Sequence, residues 1–162
     1  MLLLRSVFFT FLLPGTVTVL IPYWITRRSG TRVFSSYDAL RFFGVPLVVV
    51  GAAGLGWCIW EFFSEGRGTL APVDPPKHLV VKGLYRYVRN PMYVSVVTIL
   101  VGEAILFMSK NVLIEAGVFL ALAYLFVVFY EERVLRKQFG ESYERYLQQV
   151  SRWIPRLRSK AT

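Results

Sequence analysis

The sequence predicts an all-α integral membrane protein with about four transmembrane helices, a tight third–fourth helical hairpin and a C-terminal amphipathic cytoplasmic helix. Three observations lead there. Of 162 residues, 55% are hydrophobic and only 18% charged, against about a quarter charged in ordinary soluble domains. The apolar residues lie in long blocks, which excludes a soluble β-sandwich, an open α/β sheet and a disordered chain. The net charge of +9 is spread unevenly around those blocks, which points to the anionic face of a membrane and away from nucleic acid.

The first block, Ser6 to Ile25, has the roughly 20 residues needed to cross a hydrocarbon core, with bends expected at Pro14 and Pro22. A signal peptide is the competing reading, but no small-residue cleavage site follows and the apolar run continues past Pro14. The second span is Phe42 to Phe63, the third Met92 to Met108 and the fourth Val112 to Tyr130. Only Ser109, Lys110 and Asn111 separate the last two, so they form an antiparallel hairpin. Four spans place both termini on one side, together with the loop from Ser64 to Asn90. That side carries fourteen Lys and Arg residues and the other side five, which makes it cytoplasmic by the positive-inside rule. Residues 1–162 read as one multi-pass membrane domain, in a bacterial or archaeal cell membrane.

After Tyr130 the chain turns polar. Leu135, Phe139, Tyr143, Tyr146 and Val150 recur at steps of three and four, one apolar face of a helix within residues 131–155. Arg133, Arg136, Lys137, Arg145 and Arg152 occupy other positions. Such a helix either lies in the headgroup plane or folds back as a lid over the span ends.

Candidate functional residues gather on this basic side. A lone Cys58 and a lone His78 exclude cysteine-rich and paired-histidine metal sites, so no metal is expected. The stretch KHLVVKGLYRYVRNPMY, Lys77 to Tyr93, is dense in aromatics and cations, and Pro91 suits the first position of a helix. Free N–H groups at that helix start favour an anionic group, although the same composition would serve an interfacial anchor. Glu131 and Glu132 directly follow the fourth span. They either neutralise Arg133 or Arg136 as a surface pair, or turn one carboxylate inward toward a ribose hydroxyl, an amino group or a sulfonium. Glu61, Glu103 and Glu115 lie within spans, where a charge costs about 2.5–3.5 kcal/mol at a helix centre. Glu61 and Glu115 sit near span ends and can snorkel, whereas Glu103 is expected to face the bundle interior. Gly51, Gly54 and Gly56 fit close helix packing or leave room for a flat ligand ring.

GLYRYVRNPMY, a hydrophobic hairpin, then the Glu pair and FGESYERYLQQVSRWIP together resemble the isoprenylcysteine carboxyl methyltransferase and phospholipid methyltransferase superfamily. The resemblance covers about Lys77 to Pro155. It implies an integral-membrane methyltransferase using S-adenosylmethionine, with cofactor contacts from Lys77, His78, Leu79, Val80, Tyr85, Asn90, Pro91, Met92, Tyr93, Glu131 and Glu132. The Gly-x-Gly of the phospholipid enzymes would fall on Gly54 and Gly56. Glu131, Arg89 and Tyr93 are the implied catalytic residues. Many family members carry His at the position of Asn90, and Val127 stands where the prenylcysteine enzymes have an arginine for the substrate carboxylate. The acceptor, which would enter from the bilayer, is therefore left open among a carboxylate, an amine and a thiol. An NADPH-dependent membrane reductase of the sterol type and a non-enzymatic lipid-binding scaffold are the alternatives.

Overall fold

The computed structural model describes residues 14–28, 39–61, 64 and 79–155. Regular structure among them is helical, apart from one isolated parallel bridge between Val88 and Ser151. Helix α1 (Ile21–Arg28) is preceded by a π turn, Thr16–Leu20. A 3-10 turn, Ala39–Phe43, leads into α2 (Gly44–Glu61), and α3 (Pro91–Leu106) and α4 (Lys110–Phe126) follow. A second π turn, Val127–Glu131, joins α4 to α5 (Glu132–Phe139), and α6 (Glu141–Gln149) completes the order.

Each boundary has a local cause. Pro22 has no N–H to donate, and the turn before it widens so that the Ile21 N–H reaches the Thr16 carbonyl five residues back. The expected proline bend is thus a π turn, and the helix runs on to Arg28, past the expected end at Ile25. The part of the first span before Pro14 lies outside the described residues. Pro91 opens α3 at a position where a missing N–H is harmless. Phe107, Met108 and Ser109 link α3 to α4, and the Ser109 hydroxyl caps α4 by accepting from the Val112 N–H at 3.4 Å.

Two runs are long and apolar enough to cross a membrane, Arg41–Glu61 and Lys110–Phe139, while Pro91–Leu106 is apolar but shorter. The outward faces are apolar as well: Trp60 is 73% exposed and Ile114 62%. Those side chains call for apolar surroundings, consistent with membrane association.

Helices α2 and α3 form the most extensive pairing, and small residues permit it. A Cβ on Gly44 would strike the carbonyl of Gly102, and a Cβ on Gly102 would lie 2.8 Å from the Gly44 carbonyl and from the Val48 nitrogen. Gly51 meets Ser95 and Ile99 in the same way. Where helix surfaces are equally apolar inside and out, such close backbone approach supplies the packing that holds them. Val96, Leu100 and Ala116 form the buried centre of the bundle, with Val17, Leu55, Val101 and Phe119 around it.

The C-terminal segment departs from a single helix over residues 131–155. The long helix passes through Tyr130 and ends at Phe139, Gly140 breaks it, and α6 ends at Gln149. Gly140 has φ 50° and ψ −126°, a region essentially closed to residues with a Cβ. The break turns α6 back. Tyr143, Tyr146 and Val150 then bury their apolar face against Leu79, Leu135, Phe139 and Leu147. Of the two placements open to this segment, the structure shows the folded-back one.

Gly102→Leu should force α2 and α3 apart and destabilise the protein by about 1–3 kcal/mol. Gly56→Ala, where nothing lies within 4 Å of the new Cβ, should stay within about 0.5 kcal/mol of the parent. Thermal unfolding in detergent compares the two.

Candidate functional site

The site is built where the segment before α3, the end of the long helix and the C-terminal tail meet. Residues 79–90 are shaped by a 3-10 turn, Gly83–Arg86, that starts at Gly83 with φ 50°. A side chain at Gly83 would collide with the carboxylate of Glu61, which itself accepts from the Trp57 indole N–H at 2.9 Å. Glu61 therefore packs over the turn and does not reach out to solvent. The turn presents the Tyr85 carbonyl to the Tyr146 hydroxyl, which donates to it at 2.7 Å. The Tyr85 hydroxyl is held well above its usual pKa, first by burial and then by the neighbouring acidic groups, the Cys58 thiol and the Glu131 carboxyl.

One carboxylate knits the three segments together. Glu132 is 6% exposed. Its Oε1 accepts from Arg89 Nη1 at 3.0 Å and from Arg152 Nε at 2.8 Å, and its Oε2 accepts from Arg152 Nη2 at 3.0 Å. The fork from Arg152 is the bidentate geometry that makes guanidinium–carboxylate pairs strong. This carboxylate hydrogen bond also raises the pKa of Arg152, so its charge is permanent. Backbone contacts seat the same tail: the Arg89 N–H donates to the Ser151 carbonyl at 2.8 Å, and Asn90 Nδ2 to the Arg152 carbonyl at 3.2 Å. A pairing of Glu132 with Arg133 or Arg136 does not occur, and Arg136 bonds Glu144 at 2.9 Å instead.

Glu131 points elsewhere. Successive helical residues are about 100° apart, and the Glu131 Oε2 accepts from the Tyr93 hydroxyl at 3.3 Å. Around Tyr93 lie Phe119 and Trp153, each with its ring centre 6.3 Å away, and Trp153 stacks on Tyr124 at 6.4 Å. Arg152 lies over the Tyr124 ring at 5.9 Å. Glu131, just beyond the apolar stretch that closes at Tyr130, has its pKa pushed up to about 7 by burial. The Tyr93 hydrogen bond opposes that rise and the charge of Glu132 adds to it. Two buried donors here have no partner among the described residues, Arg89 Nε and Trp153 Nε1.

The residues predicted from the sequence divide as follows. Tyr93 and Glu131 come together in direct contact. Arg89 and Glu132 also come together, though with each other and the tail. Tyr85, Leu79 and Val80 belong to the adjoining loop, with Leu79 packed under α6 and Val80 buried. Asn90 is buried, and its side chain is engaged by the tail, leaving the first turn of α3 without a side-chain cap. Pro91 and Met92 form that turn. Lys77 and His78 lie outside the described residues. Gly54 faces Ser95 and Leu84, whereas Gly56 has open space before it, so the two glycines do not share a surface. Glu103 is partly buried, with one oxygen unpartnered among the described residues. Both oxygens of Glu115 are buried without such a partner, so it does not snorkel. The surface depression lined by Leu20, Ile21, Trp24, Ile25 and Arg28 shares no residue with this cluster. Arg152, Trp153 and Tyr124 were not singled out as site residues, because no local pattern ties them to residues 20 to 60 positions away.

This arrangement places a carboxylate beside a cluster of aromatic rings, with Arg89 Nε and Trp153 Nε1 buried in it and without a partner among the described residues. Carboxylate and ring faces attract a cation, and the donors suit a carboxylate or hydroxyl oxygen on the same ligand. A family model described as phospholipid methyltransferase matches residues 39–142, well over half of the chain. No curated protein matches the chain.

Tyr146→Phe should lose the hydrogen bond to the Tyr85 carbonyl and about 1 kcal/mol of stability. Tyr146→Ala should lose about 3–5 kcal/mol, since it also empties the centre of the tail cluster. Denaturant titration of the purified protein reads both.

Proposed function

We propose, from the premise that this chain belongs to the phospholipid methyltransferase family, that it transfers a methyl group from S-adenosylmethionine to a lipophilic or small acceptor at the cytoplasmic membrane face. The observation that carries the reading is the Glu131–Tyr93 pair set against the rings of Phe119, Tyr124 and Trp153. The residues fit such a cofactor: a carboxylate and aromatic faces for its positive charges, uncapped N–H groups of α3 and the spare donors of Arg89 and Trp153 for its oxygens. The cofactor supplies a methyl group already activated as a sulfonium.

What remains for the chain is alignment, a contribution that reaches about 7–11 kcal/mol when two reactants are held in line. Glu131 would hold the amino or ribose part, the Tyr93 hydroxyl orients that carboxylate by donating to it, and the Tyr93 ring would offer its π face to the positive charge. If the acceptor is an amine, a proton must leave. Glu131, whose pKa of about 7 matches a neutral-pH base, takes it. A carboxylate or thiolate acceptor needs no base. Val127, where the prenylcysteine enzymes have arginine, is 1% exposed and offers no cation to an acceptor carboxylate.

The topology that accompanies this function has four spans, the last two forming a hairpin, and both termini in the cytoplasm. The soluble cofactor reaches the site from the basic side, and the acceptor arrives laterally from the bilayer.

Calorimetry with S-adenosylhomocysteine on the detergent-purified protein tests the reading. Micromolar binding is expected, weakened about tenfold or more, roughly 1.4 kcal/mol, in Glu131→Ala and Tyr93→Ala. Absence of binding to folded wild-type protein would falsify it. The pH dependence has a defined sign. A cationic ligand binds the ionised Glu131, so below pH about 7 a proton must be displaced and affinity falls, by up to about tenfold per pH unit. Glu131→Gln should flatten this slope. Tyr93→Phe should move its midpoint upward, because the hydroxyl bond that favours the ionised form is gone.

A further inference from the structure

We infer that the adjacent carboxylates have separate roles: Glu131 alone faces the ligand, while Glu132, Arg89 and Arg152 form a clasp that holds Trp153 against Tyr93 as a positioning residue. The inference rests on the methyltransferase reading for what is positioned, and on geometry alone for the clasp.

A carboxylate has about four lone-pair sites. Glu132 fills three of them with Arg89 and Arg152 and is 6% exposed. Little capacity is left for a ligand. Glu131 has one hydrogen bond, to a tyrosine of the aromatic cluster. Both residues sit within the long helix where the π turn gives way to α5, about 100° apart around its axis, so they point to different sides.

The partners of Glu132 identify what the clasp holds. Arg89 precedes α3, and Arg152 lies in the tail, which is fixed there again by the Arg89–Ser151 and Asn90–Arg152 backbone contacts. The next residue is Trp153, whose ring is tilted against Tyr93 with centres 6.3 Å apart and stacked with Tyr124 at 6.4 Å. Residues 141–155 are thus joined to the long helix through Gly140, which a Cβ would not permit in this conformation, and pinned at their far end by one carboxylate. If the pin is drawn, Trp153 leaves Tyr93, and the tyrosine that orients Glu131 loses a wall. Asn90, read from the sequence as a cofactor residue, acts here through the tail, and Arg89, read as catalytic, engages the clasp through Nη1 and its backbone N–H, which leaves only its Nε to a ligand.

The test uses full-length protein in detergent and two readouts, tryptic cleavage after Arg145 and affinity for S-adenosylhomocysteine. Cleavage follows the population of the opened tail and is independent of any methyl transfer. Arg152→Ala should raise the cleavage rate about tenfold and weaken the ligand by a similar factor, both being a shift of about 1.4 kcal/mol. Arg152→Lys should recover part of each, since lysine replaces the charge and not the fork. Trp153→Ala should weaken the ligand while leaving cleavage close to wild type, which separates the positioning role from the clasp. Wild-type cleavage in Arg152→Ala would overturn the clasp. Faster cleavage with unchanged affinity in both Arg152→Ala and Trp153→Ala would overturn the positioning role. Glu132→Gln that loses the ligand yet cleaves like wild type would make Glu132 a ligand group and refute the inference outright. If wild-type protein binds no S-adenosylhomocysteine, the methyltransferase reading falls and the positioning role with it, while the cleavage rates still judge the clasp.

Discussion

A single buried carboxylate governs this structure on its charged side. Glu132 is shared by two guanidinium groups from segments 43 and 20 residues away, and the loop, the tail and the end of the long helix converge on it. The energetics of such a group are asymmetric. Forming a buried ion pair gains little over an apolar contact of the same shape, but removing one partner strands a charge at a cost of about 3–5 kcal/mol. The triad therefore specifies an arrangement more than it adds stability, because any other register of the tail leaves a charge without its counterpart. Apolar burial by Tyr143, Tyr146 and Val150 supplies the adhesion, and Glu132 selects the one alignment in which that adhesion is used.

The apolar half and the charged half are legible in the sequence to different degrees, for a physical reason. Apolar blocks announce helices by composition, and the second, third and fourth appear within a few residues of where the blocks place them. Pro91 marked the start of α3 for a local steric cause, and so did Ser109 for α4. Tyr93 and Glu131 are both named by a resemblance whose two motifs are read together, and the structure adds that they touch. Arg152 and Trp153 carried no comparable signal. Their partners are distant in the chain, and an arginine and a tryptophan near a membrane surface are equally ordinary as interfacial anchors. The break at Gly140 was readable in principle, since a glycine after a helix with basic residues in its last turn is a common stop. The regular apolar spacing across it obscured the stop, because α5 and α6 bury the same cluster from two directions.

The distribution of charge gains a second meaning from this geometry. Positive residues crowd the segments outside the apolar blocks, yet those nearest the candidate site are engaged by carboxylates. Arg89 and Arg152 are turned inward on Glu132, and Arg136 is matched by Glu144. Glu131, by contrast, has no arginine partner among the described residues and accepts only from Tyr93. An uncompensated carboxylate in a basic setting is a selective feature. Its field favours a cation over an anion.

The π turn at Val127–Glu131 sets the angular phase between the two halves. A π turn holds one residue more than the α-helical path requires, and each residue advances a helix by about 100°. The helix that enters the bundle as α4 and leaves it as α5 is thus rotated by that amount relative to an uninterrupted α-helix. Without the extra residue, the face that carries Glu132, Leu135 and Phe139 would swing away from Arg89 and the tail while the apolar faces of α4 stayed in place. Chain length within this one turn works as a dial: it leaves the apolar helices indifferent and decides which side chains the charged half brings to bear.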